Sequence, residues 1–222
     1  MIAEVFRMEA LQISDEELFR AIRLDPEDAE EEDIARVLEM RDEACRAAIP
    51  KYLIGEAKVT AFGEDWVELD GKRFRSPLVR KNLEGVGTVY PFLATCGQEV
   101  EAWSKTLSDP FEEFWADSIK LLILGRATAA LDVEAKKRFP GGHFARMNPG
   151  SLPAWPLSAQ RDLFGLIGED TLGIRLTDSC LMLPSKSVSG FFFHSEDGFV
   201  NCAFCTILSC PNRRAAFVGE VF

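Results

Sequence analysis

The sequence has few of the side chains that most often carry chemistry, with two histidines and two tyrosines among 222 residues. His143 and His194 stand too far apart for a three-histidine metal site, and each reads as a loop or surface residue. No run approaches the ~18 apolar residues that a membrane-spanning helix needs. The segment MIAEVFRMEA also lacks a basic region leading into an apolar stretch. Both absences favour a cytoplasmic chain that stays out of the membrane. Positive charge is scarce too. Against 36 acidic residues stand 25 basic ones, a net of −11, which argues against binding nucleic acid or an anionic lipid surface. Six cysteines are too few for a disulfide scaffold. Three of them gather near the end, which suggests free thiols or a metal site.

What is present describes a folded protein of ordinary composition, 47% hydrophobic and 27% charged. A length of 222 residues suits one module. Its expected parts are an acidic helical segment over 1–50, a central segment over 84–205 and a cysteine-containing tail over 202–222. Residues 1–50 hold 15 acidic and 6 basic side chains, so most of the excess charge sits there. Ser14 and Glu17 form a capping box that opens a short helix. A second helix is expected from Pro26 to about Ala48, its acidic start suiting the positive end of the helix dipole. That acid run reads as a solvated face or as a docking surface for a basic partner.

Beyond Pro50 the period shifts toward two. Strands are expected at Lys58–Phe62, Trp66–Leu69 and Lys72–Phe74, the last two joined by the turn Asp70-Gly71. Val86–Thr95 reads as a buried strand that Pro91 places at an edge or bend. Helices are expected over Gln98–Leu107, Pro110 to about Arg138, and Ser158–Ile167. Gly125 interrupts the longest at a cost of about 1 kcal/mol against alanine, which suggests a close approach there. Phe191 and its neighbours, with Phe199–Phe204, suggest a hairpin turning at Ser195–Gly198. Helices and hairpins without βαβ regularity indicate an α+β fold, a twisted, mostly antiparallel sheet with flanking helices.

Phe139–Pro156 holds four prolines and three glycines, the composition of an ordered loop that carries function. Within it, Arg146 offers a fork that binds a carboxylate bidentately, Pro149 stiffens the turn and Gly150 lets backbone approach a ligand. Arg146-Met-Asn-Pro-Gly150, a helix, Leu176-Thr-Asp-Ser179, Met182-Leu-Pro184 and Ser187-Val-Ser-Gly-Phe-Phe-Phe193 follow in order. Together they resemble the S-adenosylmethionine-binding activation domain of cobalamin-dependent methionine synthase.

The resemblance implies a repair role. In that family the domain holds S-adenosylmethionine against oxidised cob(II)alamin while a flavodoxin-type protein supplies an electron. By this analogy Arg146 clamps the ligand's carboxylate, and the backbone of Asn148, Pro149, Gly150 and Ser151 meets the adenosine. The partner would be a separate, cobalamin-carrying methionine synthase. Two family residues are replaced. Ser151 stands where the family has tyrosine, and Ala130 on the long helix stands where it has glutamate. Asp132 or Glu134 is a candidate substitute, although an offset of two residues turns a side chain about 200° around an ideal helix.

Cys202, Cys205 and Cys210 form a second constellation, spaced as ligands for zinc or an iron-sulfur cluster, with Cys180 as a candidate fourth. Buried packing and disulfide pairing are the other readings of the trio. If the trio works as a metal site, the chain is a metal or electron-transfer accessory protein for another corrinoid methyltransferase. A scaffold that has lost its ligand is a third reading. Trp155 is expected either to anchor the core or to wall a ring-shaped ligand.

Overall fold

A computed structural model describes residues 2–7, 11–196, 198–210 and 213–219, with the side chains of residues 2–4 excepted. Strand β1 (Ile2–Arg7) precedes helices α1 (Asp15–Ile22) and α2 (Glu31–Ala47). Three strands follow, β2 (Lys51–Phe62), β3 (Trp66–Leu69) and β4 (Lys72–Arg75), and then the short helix α3 (Pro77–Asn82). Strand β5 (Thr88–Thr95) leads into α4 (Gln98–Ser104) and the long α5 (Pro110–Lys136). The last third holds β6 (Phe144–Met147), α6 (Gln160–Ile167), β7 (Arg175–Leu176), β8 (Met182–Leu183) and β9 (Ser187–His194).

The main sheet runs β4-β3-β2-β5-β9-β6, with β1 added to β2. All of its strand pairs are antiparallel, so the fold is α+β as the sequence indicated. Strands β7 and β8 make a separate small hairpin.

Local signals explain several elements. The Ser14 hydroxyl accepts from the Glu17 amide while the Glu17 carboxylate accepts from the Ser14 amide, so the expected capping box starts α1. Helix α2 starts later than expected. The Asp25 carboxylate and carbonyl accept from Glu27, Asp28 and Ala29, which folds Pro26–Ala29 into a turn before Glu30 takes the N-cap position without a side-chain cap bond. In α5, Asp109 caps the first turn and Pro110 sits in it, where its missing N–H does no harm. No helix among the described residues is long and apolar enough to cross a membrane.

Pro91 lies in the centre of the sheet rather than at an edge, because β5 runs between β2 and β9. The ladder to β2 pairs Ile54 with Phe92 and Ala57 with Val89 and skips the two positions between, where Pro91 has no N–H to give. The loop composition of 139–156 also concealed β6, a four-residue edge strand beside β9. The hairpin expected beyond Phe193 does not form. Val200 makes a single parallel bridge to Arg146, and Asn201–Ala203 is a 3-10 turn. Asp197 in that stretch is outside the described residues.

Burial divides into three clusters. On one face of the sheet, Leu53, Val67, Phe74, Leu93, Phe191 and Phe193 pack with Trp155 and with Leu163 of α6. On the other face, Tyr52, Ile54, Phe92 and Phe192 pack beneath Ala127, Leu131 and Ala135 of α5. The first half of α5 turns away from the sheet and buries Ala116, Ile119 and Ile123 against α1, α2 and α4. Trp155 is 1% exposed and tilts against Phe191 at 4.8 Å, which makes it a core anchor. Nothing approaches Gly125, where an added Cβ would meet open space. The close approach is at Gly190, where a Cβ would sit 2.2 Å from the Met147 carbonyl oxygen.

Candidate functional site

The Arg146 loop is built by strand geometry. Residues alternate across β6, so Ala145 and Met147 enter the core beside Trp155 while Phe144 and Arg146 face the α5 side. Pairing with β9 places Arg146 opposite Phe192. The chain then turns sharply. The Gly150 amide donates to the Trp155 carbonyl at 2.8 Å and the Ser151 amide to the Asn148 carbonyl at 3.2 Å. Gly150 has φ +80° and lies so near Leu157 that a Cβ would come within 2.9 Å of it.

The motif downstream of the loop acts chiefly as its support. Asn148 Nδ2 donates to the Ser189 carbonyl at 2.7 Å, tying the loop to β9. The Ser187 hydroxyl donates to Pro184 O, and that of Ser189 to Gln160 Oε1. Gly190 lets the Met147 carbonyl pass close by. Thr177 closes the β7–β8 turn, its amide donating to the Leu181 carbonyl and its hydroxyl accepting from the Leu181 amide, and the Asp178 carbonyl accepts from Arg161. Ser189 and Gly190 thus reach the turn directly, while the β7–β8 hairpin is held to α6 through Arg161.

A cleft of about 650 Å³ opens beside this turn, within the ~300–1,000 Å³ typical of small-molecule sites. Arg146, Asn148, Gly150 and Ser151 line it, with Asp132 of α5, Phe144, Phe192 and Phe199. Buried Pro149 stays behind the wall. The far wall is the C-terminal segment, including Asn201, Cys202, Cys205 and Arg214. A second cleft of about 640 Å³ lies toward Lys81 and His194, and Phe199 and Val200 line both.

Inside the first cleft, Arg146 Nη1 lies 3.3 Å from Asp132 Oδ1, with the two side chains 24% and 36% exposed. Burial pushes the Arg146 pKa down from its ordinary value; Arg214 adds to the fall and Asp132 opposes it. A guanidinium in that setting favours an anion. Asp132 therefore takes the helix position from which an acid reaches the arginine, while Ala130 packs against the sheet cluster. The sequence had placed the equivalence at Ala130 and turned Asp132 away. The edge position of β6 reverses this, because Arg146 meets α5 from the side rather than from beneath.

Cys202, Cys205 and Cys210 do not come together as metal ligands, and no group of three metal-binding side chains exists among the described residues. All six cysteines are free, with Cys96 and Cys180 buried. Arg213 shapes this segment. Its guanidinium donates to the carbonyls of Cys202, Cys205, Ile207 and Ala215, and nothing in the sequence marked it for that task.

A family model described as the vitamin B12 dependent methionine synthase activation domain matches residues 136–201. A search of the curated proteins found no match. Among solved structures, one described as the MetH reactivation domain bound to AdoHcy superposes with a TM-score of 0.62 at 18% identity. The match covers 89% of this chain and 80% of that one, a likeness of fold. Residues 136–201, which supply much of the cleft, thus match the activation domain of vitamin B12-dependent methionine synthase, and the chain around them has the fold of its reactivation domain.

Proposed function

We propose that the cleft binds S-adenosylmethionine, and that the chain serves in the cytoplasm to reactivate cob(II)alamin carried by a separate methionine synthase. The Arg146–Asp132 pair carries this reading. A cation and an anion side by side on one wall complement the carboxylate and ammonium of an amino-acid headgroup. Arg146 directs one N–H at Asp132, and the fork has five, so donors remain for a bidentate grip.

The rest of the wall suits the remainder of the ligand. Phe144 and Phe199, both partly exposed, offer ring surfaces to adenine or to a sulfonium cation, with buried Phe192 behind them. The Asn148 side chain is committed to β9, so this residue acts by holding the turn in place. Ser151 brings a hydroxyl where the family has a phenol. When bound, the ligand supplies an activated methyl group, and the chain's own residues contribute position and exclusion of water. In this scheme a flavodoxin-type protein delivers the electron and cobalamin arrives with its carrier.

Titration calorimetry of the purified chain with S-adenosylmethionine tests the reading. Saturable binding that Arg146→Ala weakens is the expected result. Absence of binding at millimolar ligand overturns it.

A further inference from the structure

The wall that faces Arg146 carries two thiols that the proposed function leaves unused. Cys202 and Cys205 both line the cleft, and both are half-buried and free. The backbone between them is a tight turn. The 3-10 turn at Asn201–Ala203 passes into Phe204 at φ −116°, ψ 0°. Helical Ala203 followed by this Phe204 approximates the centre of a type I turn, whose end residues have Cα atoms within ~7 Å. A disulfide needs ~4.4–6.8 Å. Arg213 holds both ends at once, donating to the carbonyls of Cys202 and of Cys205.

The other cysteines differ in kind. Burial pushes the Cys96 thiol up to about 12 and raises that of Cys45, while Cys180 is buried in the β7–β8 turn. Cys202 and Cys205 instead open onto the cleft that Arg146 and Arg214 also line. Cys210 is not part of the cleft wall.

We propose that Cys202 and Cys205 are a reversible oxidation site that closes to a disulfide in the wall of the cleft. With a peroxide as oxidant, the Cys202 thiolate attacks one peroxide oxygen. The O–O bond breaks, leaving a sulfenic acid and, after protonation, one water. The Cys205 sulfur then attacks the sulfenic sulfur, forming the S–S bond and releasing a second water. Two thiols lose two electrons and two protons, and hydrogen peroxide becomes two waters. Because Val200 bridges Arg146 just before this turn, closing the turn reshapes the wall that faces the guanidinium.

Peptide mass spectrometry of the full-length chain after limited hydrogen peroxide treatment tests the site. The expected product lacks two hydrogens within 202–205, returns to the thiol form with dithiothreitol, and is absent from Cys202→Ser and from Cys205→Ser. Pairing of either residue with Cys210 overturns the proposal, as does oxidation of Cys96 at the same rate. Uptake of zinc by all three C-terminal thiols as one set also overturns it. A second arm rests on the proposed function: S-adenosylmethionine slows iodoacetamide alkylation of Cys202 several-fold. If the disulfide forms but the ligand gives no protection, the ligand reading fails and the thiol pair stands.

Discussion

Arg146 on β6 and Asp132 on α5 approach to 3.3 Å, joining the edge strand of the sheet to the helix laid over it. Both side chains are partly exposed, and pairs of that kind add little to stability. Their placement in a cleft fits the proposed grip on an amino-acid headgroup. Arg146→Ala is expected to weaken S-adenosylmethionine binding about 10- to 100-fold, from the ~1.5–3 kcal/mol of a hydrogen bond to a charged group. Arg146→Lys also loses affinity, because an ammonium has no fork. Calorimetry reads both, with thermal melting as the control for fold.

Gly190 is expected to tolerate no side chain. A Cβ there would stand 2.2 Å from the Met147 carbonyl oxygen and 2.9 Å from both Asn148 Nδ2 and the Phe92 ring. The first obstacle is backbone and cannot swing away. Gly190→Ala should destabilise the chain by about 1–3 kcal/mol, the usual cost of overpacking. Urea denaturation measures the loss, and ligand binding falls with it because Asn148 is pushed off β9.

Gly125 predicts the opposite sign. It lies within α5, is exposed, and has nothing within 4 Å of an added Cβ. Gly125→Ala should stabilise the chain by about 0.5–1 kcal/mol through lower backbone entropy in the unfolded state. A raised melting temperature with unchanged ligand affinity is the expected pair of results.

Acid should act through Glu17. Hydrogen bonds from the Arg126 side chain and then from the Ser14 amide lower its pKa from 4.5 to about 2 in the folded protein. A depressed carboxylate contributes stability that is fully present above pH 4.5 and is lost as pH falls from there to about 2. In Glu17→Gln the part of the acid unfolding curve between those limits should flatten, as followed by circular dichroism.

Local chemistry was the most legible part of the sequence. Ser14 with Glu17 and Asp70-Gly71 each determine a cap or turn through neighbours a few residues away. The long apolar pattern of α5 was equally clear. What escaped depends on distant pairing. Strand β6 has only four residues amid prolines and glycines, and it exists because β9 lies alongside. Pro91 read as an edge or a bend, since nothing local announces that the ladder to β2 skips its position. Phe199 and Phe204 looked like strand residues; instead their rings stack at 5.5 Å in an irregular segment.

The candidate site divided along the same line. Arg146 and the Gly150 turn were readable because a fixed donor fork and a left-handed glycine have few uses. Asp132 was readable only as a candidate substitute turned away from the family position, because its approach to Arg146 depends on where β6 enters relative to α5. The downstream serines and Gly190 were visible as a motif, but as ligand-domain markers rather than as the scaffold they form. Arg213 gave no signal, since a guanidinium that gathers backbone carbonyls has no sequence spacing of its own.

Strand β9 sends Phe191 and Phe193 into one hydrophobic cluster and Phe192 into the opposite one. A wall shared by two rooms cannot fall in one of them alone. Trp155 emission, read with Trp66, Trp103 and Trp115 replaced by phenylalanine, and the far-ultraviolet helical signal, to which the long α5 contributes most, should therefore trace one melting curve with a common midpoint.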